Sequence, residues 1–314
     1  MTRLFASRGA GPSGSVQASL RAGWRRVERS ERPVLFVNPA SGGGTAARIG
    51  LADRARELGI AVILLRPGDD LGARAEQAVA DGADALGVAG GDGTLAVVAA
   101  AARAHGLPFV CVPAGTRNHF ALDLGVDRHD PLGALEAFTD GVERTIDVAS
   151  VNRRLFLNNV SLGIYGEAVR EPAYRDAKVR TLLEAARQVL GPSGPASELS
   201  IADENGREHR RVAVVVVSNN PYALEHTLAP GTRPTLDSGR LGVIVVDEPL
   251  VSGIPGRAWT ATSLQVSAPR SVHAGVDGEA VALDPPLRFA AIPAALRVRI
   301  SARHPGVSPS SLPR

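Results

Sequence analysis

Short apolar segments alternate with amphipathic segments between residues 33 and 113. Four apolar segments have the length and β-branched content of buried strands, at 33–37, 61–65, 85–88 and 109–112. Between them, apolar residues at helical spacing predict helices over 46–58, 71–80 and 94–104. Strands that alternate with helices in this way predict a parallel sheet with helices on both faces.

After residue 145 the pattern changes to successive strands with few helices between them. One helix is predicted over 174–190. Strands are predicted over 145–152, 154–160, 198–202, 207–218, 242–246, 262–267, 271–277, 287–289 and 296–300. Strands that follow one another without crossover helices predict a mainly antiparallel sheet.

The 314 residues therefore divide into four parts. Residues 1–32 are predicted to form a disordered basic arm, and residues 302–314 a tail. A Rossmann-like parallel α/β domain is predicted over 33–144, with a returning C-terminal strand at about 290–301. The β-rich second domain is predicted over 145–289.

Composition and charge exclude several classes of protein. With 44% hydrophobic and 21% charged residues the chain can bury a sizeable core. Cys111 is the single cysteine, which excludes an intramolecular disulfide and a cysteine zinc site. The only lysine, Lys178, follows Ala177, so the chain has no Walker A loop. No apolar run reaches the roughly 18 residues that span a bilayer, so no transmembrane segment is expected.

The basic excess lies in the arm rather than in the folded part. Residues 1–33 carry seven arginines and two glutamates, a net +5 out of the total +3, which leaves −2 for the remainder. A near-neutral remainder argues against nucleic acid as a partner. The arm is either disordered or a segment that touches anionic lipid through its arginines, with Leu20 and Trp24 as apolar contacts.

Three strand ends of the first domain lead into loops of small and polar residues, at 38–44, 90–94 and 113–118. Because parallel strands point the same way, these loops are expected to gather at one edge of the sheet, where ligands bind in such folds. Each loop opens a predicted helix, and helix N-termini and glycine backbones favour phosphate. Ser41, Thr94 and Thr116 add hydroxyl donors. Asp92 within a phosphate site suggests Mg-nucleotide or a ribose contact.

These loops carry a resemblance to a known family. Gly90-Gly91-Asp92-Gly93-Thr94 resembles the GGDGT signature shared by diacylglycerol kinases, sphingosine kinases, NAD kinases and phosphofructokinases. Residues 38–42 resemble the NPxSG motif of the diacylglycerol kinase catalytic domain, and residues 113–121 its PxGTGNDFA motif. Residues 236–241 resemble its DDGxL motif, and residues 276–279 its DGE motif. The ordered motifs, from about 33 to 301, are similar to the bacterial lipid kinase branch.

The resemblance implies two domains with an active site in the cleft, and ATP and Mg²⁺ as cosubstrates. It implies transfer of the γ-phosphoryl group to a diacylglycerol-like or long-chain-base lipid at a membrane surface. The expected location is cytoplasmic, with peripheral association at the inner membrane face, and a homodimer is left open. The family's nucleotide contacts fall on Asn38, Pro39, Ser41, Gly42, Gly90, Gly91, Gly93, Thr94, Gly115, Thr116 and Asn118. A structural metal in relatives would fall on Asp237.

Phosphoryl transfer to an alcohol needs a carboxylate that takes the hydroxyl proton. Asp277, Glu279 and Asp92 are the catalytic candidates, with Glu279 as the base. At strand spacing i and i+2, Asp277 and Glu279 would point to one face. The alternative is an exposed turn, which Asp-Gly often marks.

Several residues depart from the family pattern. His119 stands where an aspartate is usual, Arg117 replaces a frequent glycine, and Ser238 replaces the second acid of the DDG motif. His119 and Ser238 keep a catalytically degenerate nucleotide-binding protein as one alternative. A soluble-metabolite kinase of the NAD kinase type, which shares GGDGT, is the other. The strand-end asparagines are expected to cap turns, or as cleft-facing pairs to bind acceptor hydroxyls: Asn158, Asn159, Asn219 and Asn220.

Overall fold

A computed structural model describes residues 23–163, 199–202, 206, 208–210, 212–223, 232–247 and 257–311. The predicted helix over 174–190 lies outside the described residues. Within them, one eleven-stranded sheet and one six-stranded sheet make up the fold.

The first half of the large sheet is parallel, as the alternation of strands and helices predicts. Its strands are β2 (Pro33–Val37), β3 (Ala61–Leu64), β4 (Ala85–Gly90) and β5 (Phe109–Pro113). They lie in the order β5-β4-β2-β3. The helices are α1 (Ser41–Arg48), α2 (Leu51–Glu57), α3 (Leu71–Ala80), α4 (Asp92–Ala104), α5 (His119–Asp123) and α6 (Pro131–Ala134). A 3-10 helix follows at Leu135–Phe138.

The second half of the chain forms antiparallel pairs, also as predicted. The six-stranded sheet has the order β13-β12-β11-β8-β15-β16. These strands are β8 (Asn159–Gly163), β11 (Val212–Asn219), β12 (Leu241–Asp247), β13 (Arg257–Ala261), β15 (Val272–Val276) and β16 (Glu279–Leu283). Short strands extend the large sheet at β7 (Arg154–Phe156), β9 (Ser200–Ala202), β10 (Glu208–Arg210) and β14 (Ser263–Ser267).

Two long strands, β6 (Gly141–Val151) and β17 (Leu287–Ser301), connect the two halves as an antiparallel ribbon. One end of β17 runs parallel to β5, and its other end pairs with β14. The ribbon crosses from the core around the parallel sheet, which holds Val298, to the core beneath the six-stranded sheet, which holds Phe289. The two halves are therefore joined by continuous backbone hydrogen bonding.

The two strands predicted over 287–289 and 296–300 are one strand in the structure. Pro293 lies in a bulge, and Ala294 beside it has a φ of 47°. A bulge tolerates a proline because the extra residue needs no ladder hydrogen bond. The prediction of two strands was wrong because pairing with β6 carries the strand across this interruption.

The helix predicted over 46–58 is also wrong, since it is two helices that meet at Ile49 and Gly50. Gly50 has a φ of 65°, in the left-handed region, and stands at the N-terminus of α2. Strands predicted over 154–160 and 207–218 are likewise each divided into two, and β13 and β16 were missed.

The end of the predicted disordered arm is folded from Gly23 onward. Strand β1 (Arg25–Arg26) pairs with β6, and Trp24 donates through Nε1 to the Gly306 carbonyl at 2.7 Å. The Arg144 guanidinium lies 4.9 Å from the centre of the Trp24 ring. Trp24 therefore packs against the protein and is partly buried, and the lipid contact suggested for it stays a prediction. The predicted tail is folded as far as residue 311, which ends a 3-10 helix at Pro309–Ser311.

Candidate active site

The three predicted loops meet at one edge of the parallel sheet. A β-carbon on Gly42 would lie 2.5 Å from the Ala114 carbonyl oxygen, and one on Gly115 would lie 2.9 Å from the Gly90 carbonyl oxygen. Both distances are too short, so only glycine allows this close packing of loops. At Gly43 and Gly91 a β-carbon would meet no atom within 4 Å among the described residues. The loops therefore form a surface with free backbone facing open space.

Only the middle loop opens a regular helix of useful length. Gly91 precedes the 13 residues of α4. In α1, residues Gly42, Gly43 and Gly44 have φ between 58° and 82°, which interrupts the helix at its start, and α5 has five residues. Each loop therefore leads into a helix, as predicted, but only α4 is both regular and longer than two turns. The helix-dipole argument for phosphate applies to the loop at 90–94 alone.

Two asparagines predicted to contact nucleotide use their side chains within their own loops. The Asn118 side chain accepts from the Gly115 N–H and donates to the Gly115 carbonyl, both at 2.9 Å. The Asn38 side chain accepts from the Ala40 N–H at 3.1 Å. These contacts shape the loops, so each asparagine has a structural role of its own. Pro39 and Thr116 are exposed beside them, and Ser41 and Thr94 are half-buried.

Asp92 lies in the first turn of α4 and is half-buried. Its Oδ1 atom is buried and has no hydrogen-bond partner among the described residues. Burial raises the pKa of this carboxyl, and the Asn158 side chain and the nearby Arg233 guanidinium oppose the rise. A buried carboxylate oxygen without a partner is costly, which makes it a site where a ligand or its cation would be stabilised.

Asp277 and Glu279 do not share the face of one strand, so that prediction was wrong. Asp277 has a φ of 48° and begins the turn between β15 and β16. Its buried carboxylate accepts from the N–H groups of Leu157, Asn158 and Asn159 at 2.8, 2.8 and 3.1 Å. Burial raises its pKa to about 7, although these three N–H groups act in the opposite direction. Asp277 therefore orders the backbone before β8.

Glu279 begins β16 and reaches the glycine loop. Its side chain is 52% exposed, and its Oε2 atom lies 3.6 Å from an Arg154 guanidinium nitrogen. A β-carbon on Gly93 would overlap the Glu279 carboxylate. The site therefore brings an accessible carboxylate of the six-stranded sheet against the first turn of α4.

His119 and Asp123 lie one helical turn apart on α5. Burial lowers the pKa of His119, so the imidazole is neutral near pH 7, although Asp123 acts in the opposite direction. The carboxylate that the family pattern places at 119 is absent here, and Asp123 holds a buried carboxylate four residues later.

Sequence reasoning missed the partner of that carboxylate, Arg233. Its side chain is fully buried, and its Nε donates to Asp123 Oδ2 at 2.7 Å. It also donates to the carbonyls of Leu157 and Asn219 at 2.6 and 2.7 Å and to Asn158 Oδ1 at 2.8 Å. No motif signals this residue, because its partners are 14 to 110 positions away in the sequence.

The loop predicted to bind metal is held by protein contacts. Asp147 accepts from the N–H groups of Gly239 and Ala294 at 2.7 and 2.9 Å, and Asn220 Oδ1 accepts from Ser238 N–H at 2.8 Å. The Asp237 carboxylate is exposed and hydrogen-bonded to Thr235. Among the described residues no three acidic, histidine or cysteine side chains cluster as metal ligands, so a metal at Asp237 stays a prediction.

None of the helices in the described part of the chain combines the length and hydropathy needed to cross a bilayer.

A Rossmann-like sheet with converging glycine loops lies beside an antiparallel sheet that supplies a carboxylate, which defines an α/β-plus-β fold with a ligand site at the edge of the parallel strands. Residues 32–151 match the model of the diacylglycerol kinase catalytic domain. A Pseudomonas aeruginosa protein named "Probable lipid kinase YegS-like" is 31% identical over 302 residues, which covers 88% of this chain and 96% of the relative. The chain belongs to the diacylglycerol kinase family of lipid kinases.

Other relatives agree with this family. A Mycobacterium tuberculosis diacylglycerol kinase is 32% identical over 136 residues, covering 42% of this chain and 44% of that protein. A crystal structure of a diacylglycerol kinase from Bacillus anthracis aligns with a TM-score of 0.62 at 17% identity, covering 91% of this chain and all of that one. Another chain from the same bacterium gives a TM-score of 0.67 at 19% identity. At these identities the structural likeness supports the fold, predicted as α/β plus β.

Proposed function

We propose that this protein transfers the γ-phosphoryl group of ATP to a hydroxyl of a diacylglycerol-like or long-chain-base lipid. The observation that carries the proposal is the contact of Glu279 with Gly93. It sets a carboxylate of the β-domain beside the loop that would hold the transferred phosphate. Phosphoryl transfer requires this pairing of a proton acceptor with a phosphate site.

The nucleotide would lie on the loops at the edge of the parallel sheet. Open space at Gly43 and Gly91 lets phosphate oxygens approach the backbone, and α4 directs its N-terminus toward this position. The described residues include no lysine, because Lys178 is not among them. Arg154 lies 3.6 Å from Glu279, and Arg117 is one of the cations that act on Asp92. Arginine can bind phosphate in bidentate fashion.

The proposed step conserves atoms and charge. The lipid hydroxyl oxygen forms a bond to the γ-phosphorus while the bond from that phosphorus to the β–γ bridging oxygen breaks, and ADP leaves. The hydroxyl proton passes to the Glu279 carboxylate. Because the Glu279 side chain is 52% exposed, a hydroxyl presented from outside the protein can reach it.

Asp92 fits a cation-bound nucleotide better than Asp237 does. Mg²⁺ in kinases takes one or two carboxylates together with phosphate oxygens, and the buried Oδ1 of Asp92 has no protein partner among the described residues. When bound, Mg²⁺ would offset the negative charge of the phosphates. Asp92 would then hold the cation, whereas Asp237 is engaged by Thr235.

The proposal of a lipid acceptor is based on the family and on the names of the relatives, which are called a lipid kinase and a diacylglycerol kinase. A lipid substrate lies in a membrane, so the enzyme must act at a membrane surface. We infer that the protein is cytoplasmic and associates peripherally with the inner membrane face. The structure of the described residues supplies no argument for a homodimer, which stays a prediction.

Purified protein incubated with Mg-[γ-³²P]ATP tests the proposal. One arm contains mixed vesicles with diacylglycerol and a long-chain base, and another contains NAD without lipid. Label in a chromatographed lipid supports the proposal and identifies the acceptor. Label in NAD, or binding of ATP without transfer to any lipid, overturns it in favour of a soluble acceptor or a degenerate kinase.

A further inference from the structure

Arg233 is a fully buried arginine whose guanidinium donates hydrogen bonds to four other residues. Its ion-pair partner, Asp123, is also buried. Removing two charges from water costs about as much as their attraction returns, so a buried pair of this kind is weak support for stability. The pair is better explained by the groups that it holds in place.

Its hydrogen bonds join the two halves of the candidate site. On one side Arg233 donates hydrogen bonds to the carboxylate of Asp123, which ends α5 just after the loop at 113–118. On the other side it donates to the carbonyls of Leu157, before β8, and Asn219, at the end of β11. The guanidinium fork has a fixed planar geometry, so contacts at 2.6–2.8 Å to both sides fix their separation.

The residues that Arg233 holds are those that contact the two buried acids. Asn158 accepts from Arg233 at 2.8 Å, and its side chain also lies against Asp92. The N–H groups of residues 157–159 hold the Asp277 carboxylate, which begins the turn that carries Glu279. A displacement of Arg233 would therefore move Asp92, in the glycine loop, relative to Glu279, the proposed base.

We propose that Arg233 is a positioning residue that acts through Asn158 and the backbone of residues 157–159 to set the separation of Asp92 and Glu279. This role rests on the proposed kinase function, because positioning matters only for a reaction between groups on the two sides. Asp123 takes part as the anchor of Arg233 on the nucleotide side.

The test compares Arg233→Met with Arg299→Met in steady-state kinetics with the identified lipid. Arg299 is another buried arginine, which bonds Glu143 at 2.7 Å away from the cleft. We expect Arg233→Met to lower kcat by about 100-fold, the effect of a misplacement near 1 Å, with the KM for ATP changed much less. Arg299→Met should keep kcat within about twofold of the wild type. Equal losses of kcat in both variants, or a loss in Arg233→Met that lies in the KM for ATP instead of kcat, overturn the proposal.

Two further variants separate positioning from folding. Arg233→Lys keeps the charge without the planar fork, so it should keep the fold and leave kcat low. Asn158→Ala removes the side chain that accepts from Arg233 and lies against Asp92, and a folded Asn158→Ala protein with a wild-type kcat overturns the proposal even if Arg233→Met does not fold.

A readout without turnover keeps this inference distinct from the proposed function. In ¹⁵N-labelled protein, the amide signal of Gly93, which lies under the Glu279 carboxylate, is assigned by its loss in Gly93→Ala. A displaced Gly93 signal in Arg233→Met but not in Arg299→Met supports the positioning role even if no lipid is phosphorylated. An unchanged Gly93 signal in both variants overturns it, whatever the activity.

Discussion

Glu279, the first residue of β16, lies directly over Gly93 in the first turn of α4, so that a β-carbon on Gly93 would overlap its carboxylate. Glu279 belongs to the six-stranded sheet, whereas Gly93 belongs to a helix that follows a strand of the parallel sheet. Their contact is possible because Gly93 has no side chain. Any side chain at position 93 would therefore displace the Glu279 carboxylate.

Gly93→Ala should therefore separate stability from activity. Alanine is favoured over glycine inside a helix by up to about 1 kcal/mol, and the obstructing group is the end of a flexible side chain, so the fold should persist. The displaced Glu279 should lower phosphoryl transfer by about tenfold or more. Thermal unfolding and initial rates measure the two effects.

The matched control places Gly93→Ala in a Glu279→Ala background, where no carboxylate remains to be displaced. The account predicts no further loss of rate there. An equal loss in both backgrounds would show that the added methyl group obstructs the nucleotide instead.

Asp277→Asn should reduce stability rather than act only on turnover. The amide nitrogen of asparagine would face backbone N–H groups that the carboxylate now accepts from, which costs about 1–3 kcal/mol. Urea denaturation measures this difference. Glu279→Gln, at an exposed position, should change stability by no more than about 0.5 kcal/mol. Similar stability of both variants would contradict the structural role of Asp277.

The same variant gives a pH test at Asp277. Because burial raises its pKa to about 7 in the folded state, the folded protein retains a proton that the unfolded chain releases above about pH 4. Its contribution to stability therefore falls as the pH rises from about 4 to about 7. The stability of the wild type relative to Asp277→Asn should be greater at pH 5 than at pH 8. A difference that grows with pH has the opposite sign and would contradict the account.

Glu143 should govern the acid limit of stability. Burial alone would raise its pKa, but hydrogen bonds from Arg297, Arg299 and Arg25 outweigh burial and lower it to about 2. This contribution is present above about pH 4.5 and is lost as the pH falls toward 2, with a size on the order of 3 kcal/mol. Glu143→Gln should remove this part of the acid transition, followed by circular dichroism. Coinciding acid transitions in both proteins would contradict it.

Regular parts of the fold could be predicted from the sequence because the spacing of apolar residues is local information. The alternation of strands and helices predicted the parallel sheet, and the common direction of its strands predicted that the three loops converge. The packing of Gly42, Gly115 and Gly90 agrees with that topology.

The features that could not be predicted depend on contacts between residues that are far apart in the sequence. Asp277 and Glu279 have strand spacing in the sequence, but a positive φ at Asp277 puts a turn between them. No sequence motif indicates Arg233. Its burial becomes apparent only when the folded chain brings Asp123 and the backbone carbonyls around the guanidinium. The continuity of β17 across Pro293 likewise follows from its pairing with β6.

The most direct test of the account is the rate of phosphoryl transfer by Glu279→Gln, measured beside Glu208→Gln, which alters an exposed glutamate paired with Arg210. Loss of a positioned base lowers rates by typically 10²–10⁴-fold. The account predicts a fall in kcat of at least about 100-fold for Glu279→Gln, with the KM for ATP retained and Glu208→Gln equal to wild type. A kcat for Glu279→Gln within about twofold of wild type would contradict the assignment of Glu279 as the base.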